Sequence, residues 1–211
     1  LERGIADPIA LSVDGACVGH AAVWSKYYPA HLGEFWVDYD HLPFAAALLE
    51  AAIRIGSASH LMGQTNLPLW TCLEQRGDGW QVEKLLFGDG GDRNLPPPFD
   101  GLVFRGVSNS NPNHPDSRDF ALLAHDAPIA QGGYLCHYNP PFADVHMEVA
   151  PEWRDKGVGA YFVQDVMRAA RRAGKRTSAR CSPDHEASRR TLERAGFEPV
   201  GHLMIGRISG P

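Results

Sequence analysis

Nothing in this sequence approaches the roughly 18 to 20 consecutive apolar residues that a membrane-spanning helix needs, although 44% of its 211 residues are hydrophobic. No basic-then-apolar leader opens it, so a soluble, cytoplasmic protein with no membrane partner is expected. It begins at Leu1 rather than Met, from which an upstream piece is expected to have been removed. Cysteine is scarce: Cys17, Cys72, Cys136 and Cys181 lie far apart with no C-x-x-C pair. That spacing offers no zinc or disulfide framework, and the four are expected to be reduced, half-buried thiols. Surplus positive charge is missing too. A net charge of -5 argues against a nucleic-acid surface, because phosphate binding needs an excess of bases.

The distribution of charge says more than its sum. From Arg154 to Arg194 there are 11 Lys or Arg against five acids, a local balance of +6 that leaves -11 for the remainder. A compact basic segment in an acidic protein suits a small polyanion, and it equally suits a solvated helix face.

Two halves of the chain resemble each other. Asp14-Gly15-Ala16-Cys17-Val18-Gly19 reads as a turn and a strand, and so does Asp126-Ala127-Pro128-Ile129-Ala130-Gln131, 112 residues later. Val37 precedes Val149 by the same 112, whereas Leu73-Glu74-Gln75-Arg76-Gly77 precedes Leu192-Glu193-Arg194-Ala195-Gly196 by 119. Each half then reads strand, strand, strand, helix, strand, helix, strand. Either a divergent duplication or a chance likeness of two amphipathic layouts accounts for this. Between the halves lie Gly88 to Asp92, Pro96-Pro97-Pro98 and the polar stretch Ser108 to Asn113, with one short strand at Leu102-Val103-Phe104. This is linker composition, and it places a boundary near residue 98, giving domains 1–98 and 99–211.

The seven extra residues of the second half fall between its third strand and last helix. After Val145 to Val149 comes Pro151-Glu152-Trp153-Arg154-Asp155-Lys156-Gly157-Val158-Gly159, then a helical pattern from Ala160 to Gly174. Strand, glycine turn and helix form an anion-binding layout, because the first N–H groups of a helix lack partners and carry the positive end of its dipole. A tight turn that merely packs helix on sheet would look the same. There is no third glycine for G-x-G-x-x-G and no G-K-[ST], so neither a dinucleotide fold nor a P-loop is supported.

Arg154-Asp155-Lys156-Gly157-Val158-Gly159 is similar to the R/Q-x-x-G-x-G/A signature of the GCN5-related N-acetyltransferases. Downstream, His185-Glu186-Ala187-Ser188 and Leu192-Glu193-Arg194-Ala195-Gly196-Phe197 resemble that family's N-x-A-S and L/Y-E-K-x-G-F stretch. Two motifs in order, with a helix and a strand (Thr177 to Cys181) of fitting length between them, are far more specific than either alone. The resemblance covers about residues 120 to 206 and implies an α+β fold: a mixed, mostly antiparallel sheet flanked by helices, in two tandem halves. It further implies acetyl-CoA as acyl donor, held by Met147 and Val149 of the strand, by Arg154, Asp155, Lys156, Gly157, Val158, Gly159 and Ala160 of the turn and helix start, and by His185 and Ser188. The acceptor it implies is a small-molecule or peptide amine.

Two departures stand out. His185 replaces an Asn that many members carry; it can still hydrogen-bond the pantetheine arm, or simply start a helix. Leu192 stands where many place a tyrosine that protonates the departing thiolate, so the thiolate leaves unassisted or Tyr134 or a water supplies the proton. A thiol of pKa near about 8.5 is a tolerable leaving group.

The implied reaction is direct attack of a neutral amine on the thioester, which requires a base or water chain. Asp144, His146 and Glu148 alternate along one strand and so share a face. Glu148 is the first candidate base, through a water, and His146 the second; a solvated strand face is the alternative. His146-Met147-Glu148 also matches the H-x-E of zinc deaminases, but Cys181-Ser182-Pro183 does not supply the P-C-x-x-C such a site needs, so no metal is expected.

The first half lacks both motifs. Asp38 to Pro43 holds no glycine pair before the helix expected from about Pro43 to Arg54, so this half is expected to be degenerate and to bind no coenzyme A. Its aromatics Trp24, Tyr27, Tyr28, Phe35 and Trp36 serve a core or a substrate cleft. The alternative to an enzyme is an acyl-CoA sensor or interaction module without turnover, which the missing tyrosine favours. The acceptor amine and the oligomeric state are not legible.

Overall fold

A computed structural model describes residues 5–107, 116–136 and 141–210. The first half supplies β1 (Ala6–Val13), β2 (Ala16–Trp24), β3 (His31–Val37), α1 (Ala45–Gly56), β4 (His60–Gln64), α2 (Trp70–Arg76) and β5 (Gly77–Asp89). An additional strand, β6 (Leu102–Val107), precedes the second half. That half repeats the order with β7 (Arg118–Ala124), β8 (Ala127–Leu135), β9 (Phe142–Val149), α3 (Val158–Arg172), β10 (Arg176–Cys181), α4 (Glu186–Ala195) and β11 (Phe197–Ile208). The strand expected at Leu102 is β6, whereas the polar stretch from Ser108 to Asn113 lies outside the described residues.

The first hairpins of the two halves correspond in detail. Asp14 and Gly15 have φ of 50° and 82°, and His125 and Asp126 have φ of 48° and 64°. Two successive positive φ values are the turn geometry that matches the twist of paired strands. The ladders also slip at matching places, between Leu11 and Ser12 and between Leu122 and Leu123. Both features repeat at an interval of 111, so Asp14 corresponds to His125 rather than to Asp126.

The chain forms two compact units, Leu1–Lys84 with Gly201–Pro211, and Leu85–Val200. The boundary expected near residue 98 falls inside the second unit. In the first unit the strand order is β1-β2-β3-β4, and Leu203 to Arg207 of β11 pair antiparallel with β4. In the second the order is β10-β9-β8-β7-β6, and Leu85 to Gly88 of β5 pair antiparallel with β10. The final strand of each half therefore completes the sheet of the other unit. Linker composition cannot reveal this, because the chain changes unit within strands.

In the second unit α3 buries Val158, Phe162, Val163, Val166, Met167 and Ala170. Spaced three and four apart, they form one stripe, and each large side chain among them contributes roughly 1.5–3 kcal/mol by leaving water. Val145 and Val149 of β9 join that core, with Leu192 and Ala195 of α4. Asp144, His146 and Glu148 alternate with them and so lie on the other face of the sheet.

The segment after β5 is strapped to α3. Asp92 takes hydrogen bonds from Arg168 Nε at 2.7 Å and Nη2 at 2.9 Å, and Asp89 from Arg171 Nε at 2.9 Å and Thr177 Oγ1 at 2.7 Å. Gln164, 1% exposed, accepts the Leu95 N–H at 2.8 Å and donates to Ala195 O at 3.4 Å.

Candidate active site

The parallel ladder between β9 and β10 has three registers, Phe142 with Arg176, Ala143 with Thr177 and Asp144 with Ser178, and then stops. Beyond it β9 stays with β8 as far as Val149, while β10 stays with β5 as far as Cys181. The two strands thus splay apart. Ala150 N–H donates to Ile129 O of β8 at 3.0 Å, and backbone groups point to alternate edges along a strand. Met147 and Val149 therefore turn their N–H and C=O into the opening. Arg154 Nε donates to Val149 O at 3.1 Å, as that direction requires.

The turn into α3 sits at the wide end of the opening. Pro151–Trp153 form a short 3-10 turn, Asp155 has φ 59°, and Gly157 ends the turn at φ 81° with no side-chain cap. The first helical bond runs from Tyr161 N to Gly157 O at 3.2 Å, which leaves the N–H groups of Val158, Gly159 and Ala160 without helical acceptors. No acid stands in that first turn. Only Gly157 needs its backbone freedom. Gly159 is needed for closeness, since a Cβ there would meet Thr191 Cγ2 at 3.2 Å and Val149 Cγ2 at 3.4 Å. In the first unit a 3-10 turn, Tyr39–Phe44, leads directly into α1: Asp38 Oδ1 caps it by taking the His41 N–H at 3.0 Å, Asp40 stands in its first turn, and the Ala45 N–H at the start of α1 is taken by Leu42 O.

Nine of the 11 Lys and Arg of the basic segment fall into two sets. Arg168, Arg171, Lys175, Arg180, Arg189 and Arg190 are paired with Asp92, Asp89, Asp116, Asp144, Glu193 and Glu186. Arg154 and Lys156 stay at the turn, with the Lys156 ammonium 5.1 Å above the Trp153 ring. Sequence reasoning missed a third member. The Arg194 guanidinium lies 3.6 Å from the position a Gly157 Cβ would take. Its place in Leu192-Glu193-Arg194-Ala195-Gly196 was the available signal, since the last turn of α4 follows from that motif. His185 precedes α4 with no side-chain cap bond, and Ser188 is half-buried in its first turn.

The candidate proton-transfer groups do not gather in one place. Glu148 is exposed at a cleft of about 300 Å³ that Pro128, Ile129, Ala130 and Gln131 also line. His146, on the same face, has Nε2 3.5 Å from Asp119 Oδ1. Burial pushes the nearby Asp144 carboxyl up against the pull of Arg180 at 3.2 Å. Tyr134 is directly opposite Val145 and so points to the α3 side; it is 3% exposed, with its ring 6.1 Å from that of Phe120. Burial raises its hydroxyl pKa, and the strand separates it from Glu148 and His146. Leu192 is 5% exposed within the core.

Residues 103–198 match the family model described as the acetyltransferase (GNAT) domain. The second unit carries a GNAT acetyltransferase domain. The chain is thereby an acyl-CoA-dependent acetyltransferase, with the α+β GNAT fold. A GNAT-family acetyltransferase from Colwellia psychrerythraea superposes with a TM-score of 0.74 at 14% identity, covering 97% of this chain and 86% of that one. A tandem GNAT protein from the clavulanic acid biosynthesis pathway gives 0.62 at 13% identity over 98% of this chain and 83% of its own. A GCN5-related N-acetyltransferase from Kribbella flavida gives 0.59 at 15% identity, over 99% and 93%. No curated protein matches the sequence. Among the described residues no helix is long and apolar enough to cross a membrane, and no three His, Cys, Asp or Glu side chains converge as metal ligands would.

Proposed function

We propose that this GNAT acetyltransferase moves an acetyl group from acetyl-CoA onto a primary amine by direct attack. The observation that carries the reading is the uncapped start of α3 standing at the wide end of the splay, beside Arg154, Lys156 and Arg194. Those groups fit a diphosphate: three N–H donors without helical acceptors, a helix dipole and adjacent cations, with no competing carboxylate in the first helical turn. The edge of β9 at Met147 and Val149 offers amide-like partners to the pantetheine arm, and His185 and Ser188, at the start of α4, are assigned to the same arm. When bound, acetyl-CoA supplies the thioester.

The backbone N–H of Met147 or Val149 polarises the thioester carbonyl. The amine approaches from the face that carries Glu148 and His146, and Glu148 takes its proton through a water. A bond forms from nitrogen to the carbonyl carbon, the carbon–sulfur bond breaks, and the thiolate leaves. Tyr134, on the other face, is the less suited proton donor, so the thiolate takes its proton from water. In sequence, residues 1–98 and 99–211 are two copies of one ancestral unit, and the first lost its donor site when Asp38 came to cap the turn.

Calorimetry with acetyl-CoA on the intact chain and on Gly157→Trp tests the donor site, and thiol release over an amine panel tests turnover. Micromolar binding abolished by the substitution is expected, and Glu148→Gln is expected to lower kcat about a hundredfold. Binding without turnover on any amine would favour the sensor reading that Leu192 suggests. No binding at all would overturn the donor site.

A further inference from the structure

The sheet face opposite α3 carries a feature that the donor site does not use. Register places Arg105, Ala121, Gln131 and Glu148 in one row across β6, β7, β8 and β9, and Val107, Asp119, Gly133 and His146 in the next. Side chains directly opposite each other in a ladder share a face. Between the ends, Ala121 is 8% exposed and Gly133 lacks a side chain, while Gln131 beside Glu148 is exposed and Asp119, next to Gly133, is half-buried with its carboxylate turned to His146. The ends stand up: Arg105, Glu148 and His146 are exposed, and Val103 and Val107 beside Arg105 are 53% and 49% exposed. Among the described residues no carboxylate pairs with Arg105. One row of this face thus carries a cation at one end and the candidate base, opening on its cleft, at the other, with the Gln131 side chain beside the base.

We propose that Arg105 is an anion subsite for the acceptor, and that the acceptor is an amino-carboxylate whose amine and carboxylate are several bonds apart. This rests on the reading of Glu148 as the base end of the acceptor site. Strands lie about 4.8 Å apart, so three intervals separate Arg105 from Glu148 by about 14 Å. A hydrogen bond of about 2.8 Å at each end leaves about 7–10 Å between the two charges of the acceptor, once side chains lean. At about 3.3–3.6 Å per three backbone bonds, that span corresponds to an ω-amino acid of about six bonds or to the two ends of a short peptide. An α-amino acid is too short to reach both. Val103 and Val107 flank the methylene stem, and a guanidinium fork suits a carboxylate better than a lone ammonium would. Arg105 also sits on an edge strand, where a charge discourages pairing with another chain. That role alone would leave acceptor choice untouched.

The test follows thiol release at saturating acetyl-CoA with three matched acceptors: 6-aminohexanoate, hexylamine and 1,6-diaminohexane. The wild-type chain is expected to favour 6-aminohexanoate over hexylamine in kcat/KM by about tenfold, chiefly through KM. Arg105→Ala is expected to collapse that ratio towards one, Arg105→Lys to keep part of it, and Arg105→Glu to turn the preference to the diamine. Added salt should shrink the wild-type ratio, because the subsite is exposed. A wild-type chain that shows no preference, or a preference that survives Arg105→Ala, overturns the subsite. So does failure to acetylate 6-aminohexanoate while acetyl-CoA still binds. A chain that binds no acetyl-CoA overturns the donor site as well, so the two failures are told apart by the binding measurement.

Discussion

Replacing Gln164 by Leu isolates what the buried amide does for the site, because the two side chains have similar volume. The substitution removes the acceptor for the Leu95 N–H and for Arg168 Nη2, each at 2.8 Å, and the donor to Ala195 O, while leaving the α3 stripe packed. Ala195 is fully buried, so its carbonyl finds no water in exchange. An unsatisfied buried group costs about 1–3 kcal/mol; with Leu95 half-buried, the pair is worth about 2–4 kcal/mol. For a chain of this size that corresponds to a drop of roughly 4–16 °C in Tm. Urea unfolding followed by circular dichroism measures the change directly, and the slope of the transition is expected to stay constant. Since Ala195 adjoins Arg194, the KM for acetyl-CoA is expected to rise as well. A loss of less than about 0.5 kcal/mol, within the range of ordinary surface substitutions, would refute the reasoning.

Acid is expected to loosen the same strap. Burial alone would raise the Asp89 carboxyl, but hydrogen bonds from Arg171, Thr177 and the Gly91 N–H outweigh it, and the Arg168 hydrogen bonds lower that of Asp92. Groups depressed in the folded state stabilise above the ordinary carboxylate pKa of about 3.9 and lose that contribution as pH falls through the folded value. The urea midpoint should therefore fall below about pH 4, and less steeply in Asp89→Asn; equal slopes in both proteins would count against the strap. Ending the chain at Val200 removes the partner of β4, whose Leu61 and Met62 are 0% and 6% exposed. Limited trypsin digestion is expected to degrade the first unit and spare residues 85–200, and a first unit that resists digestion would show that β11 is dispensable to it.

Much of the site was legible because local chemistry dictates it. A glycine at φ 81° before an amphipathic helix is required by backbone sterics alone, and alternation along β9 correctly put Glu148 and His146 on one face. What failed to show in the sequence depends on distant segments. Arg194 reaches Gly157 only because α4 packs on α3. The exchange of β5 and β11 leaves no compositional trace, since a strand reads the same whichever edge it joins. Tyr134 looked available as an acid until pairing with Val145 fixed its face. Similarly, six bases that suited a bound polyanion turned out to serve carboxylates of the chain itself, and charge counting cannot tell these uses apart.

The exchanged strands also set a schedule for synthesis. Met62 pairs with Ile205, made 143 residues later, which at about 5–20 residues per second is about 7–30 s on the ribosome. For that time the edge of β4 displays unpaired N–H and C=O groups beside an apolar core, the condition under which strands recruit wrong partners. The nearest competitor is β5, which emerges at once and belongs to the same half. The order in which the ribosome delivers the strands thus opposes the arrangement in which they finish.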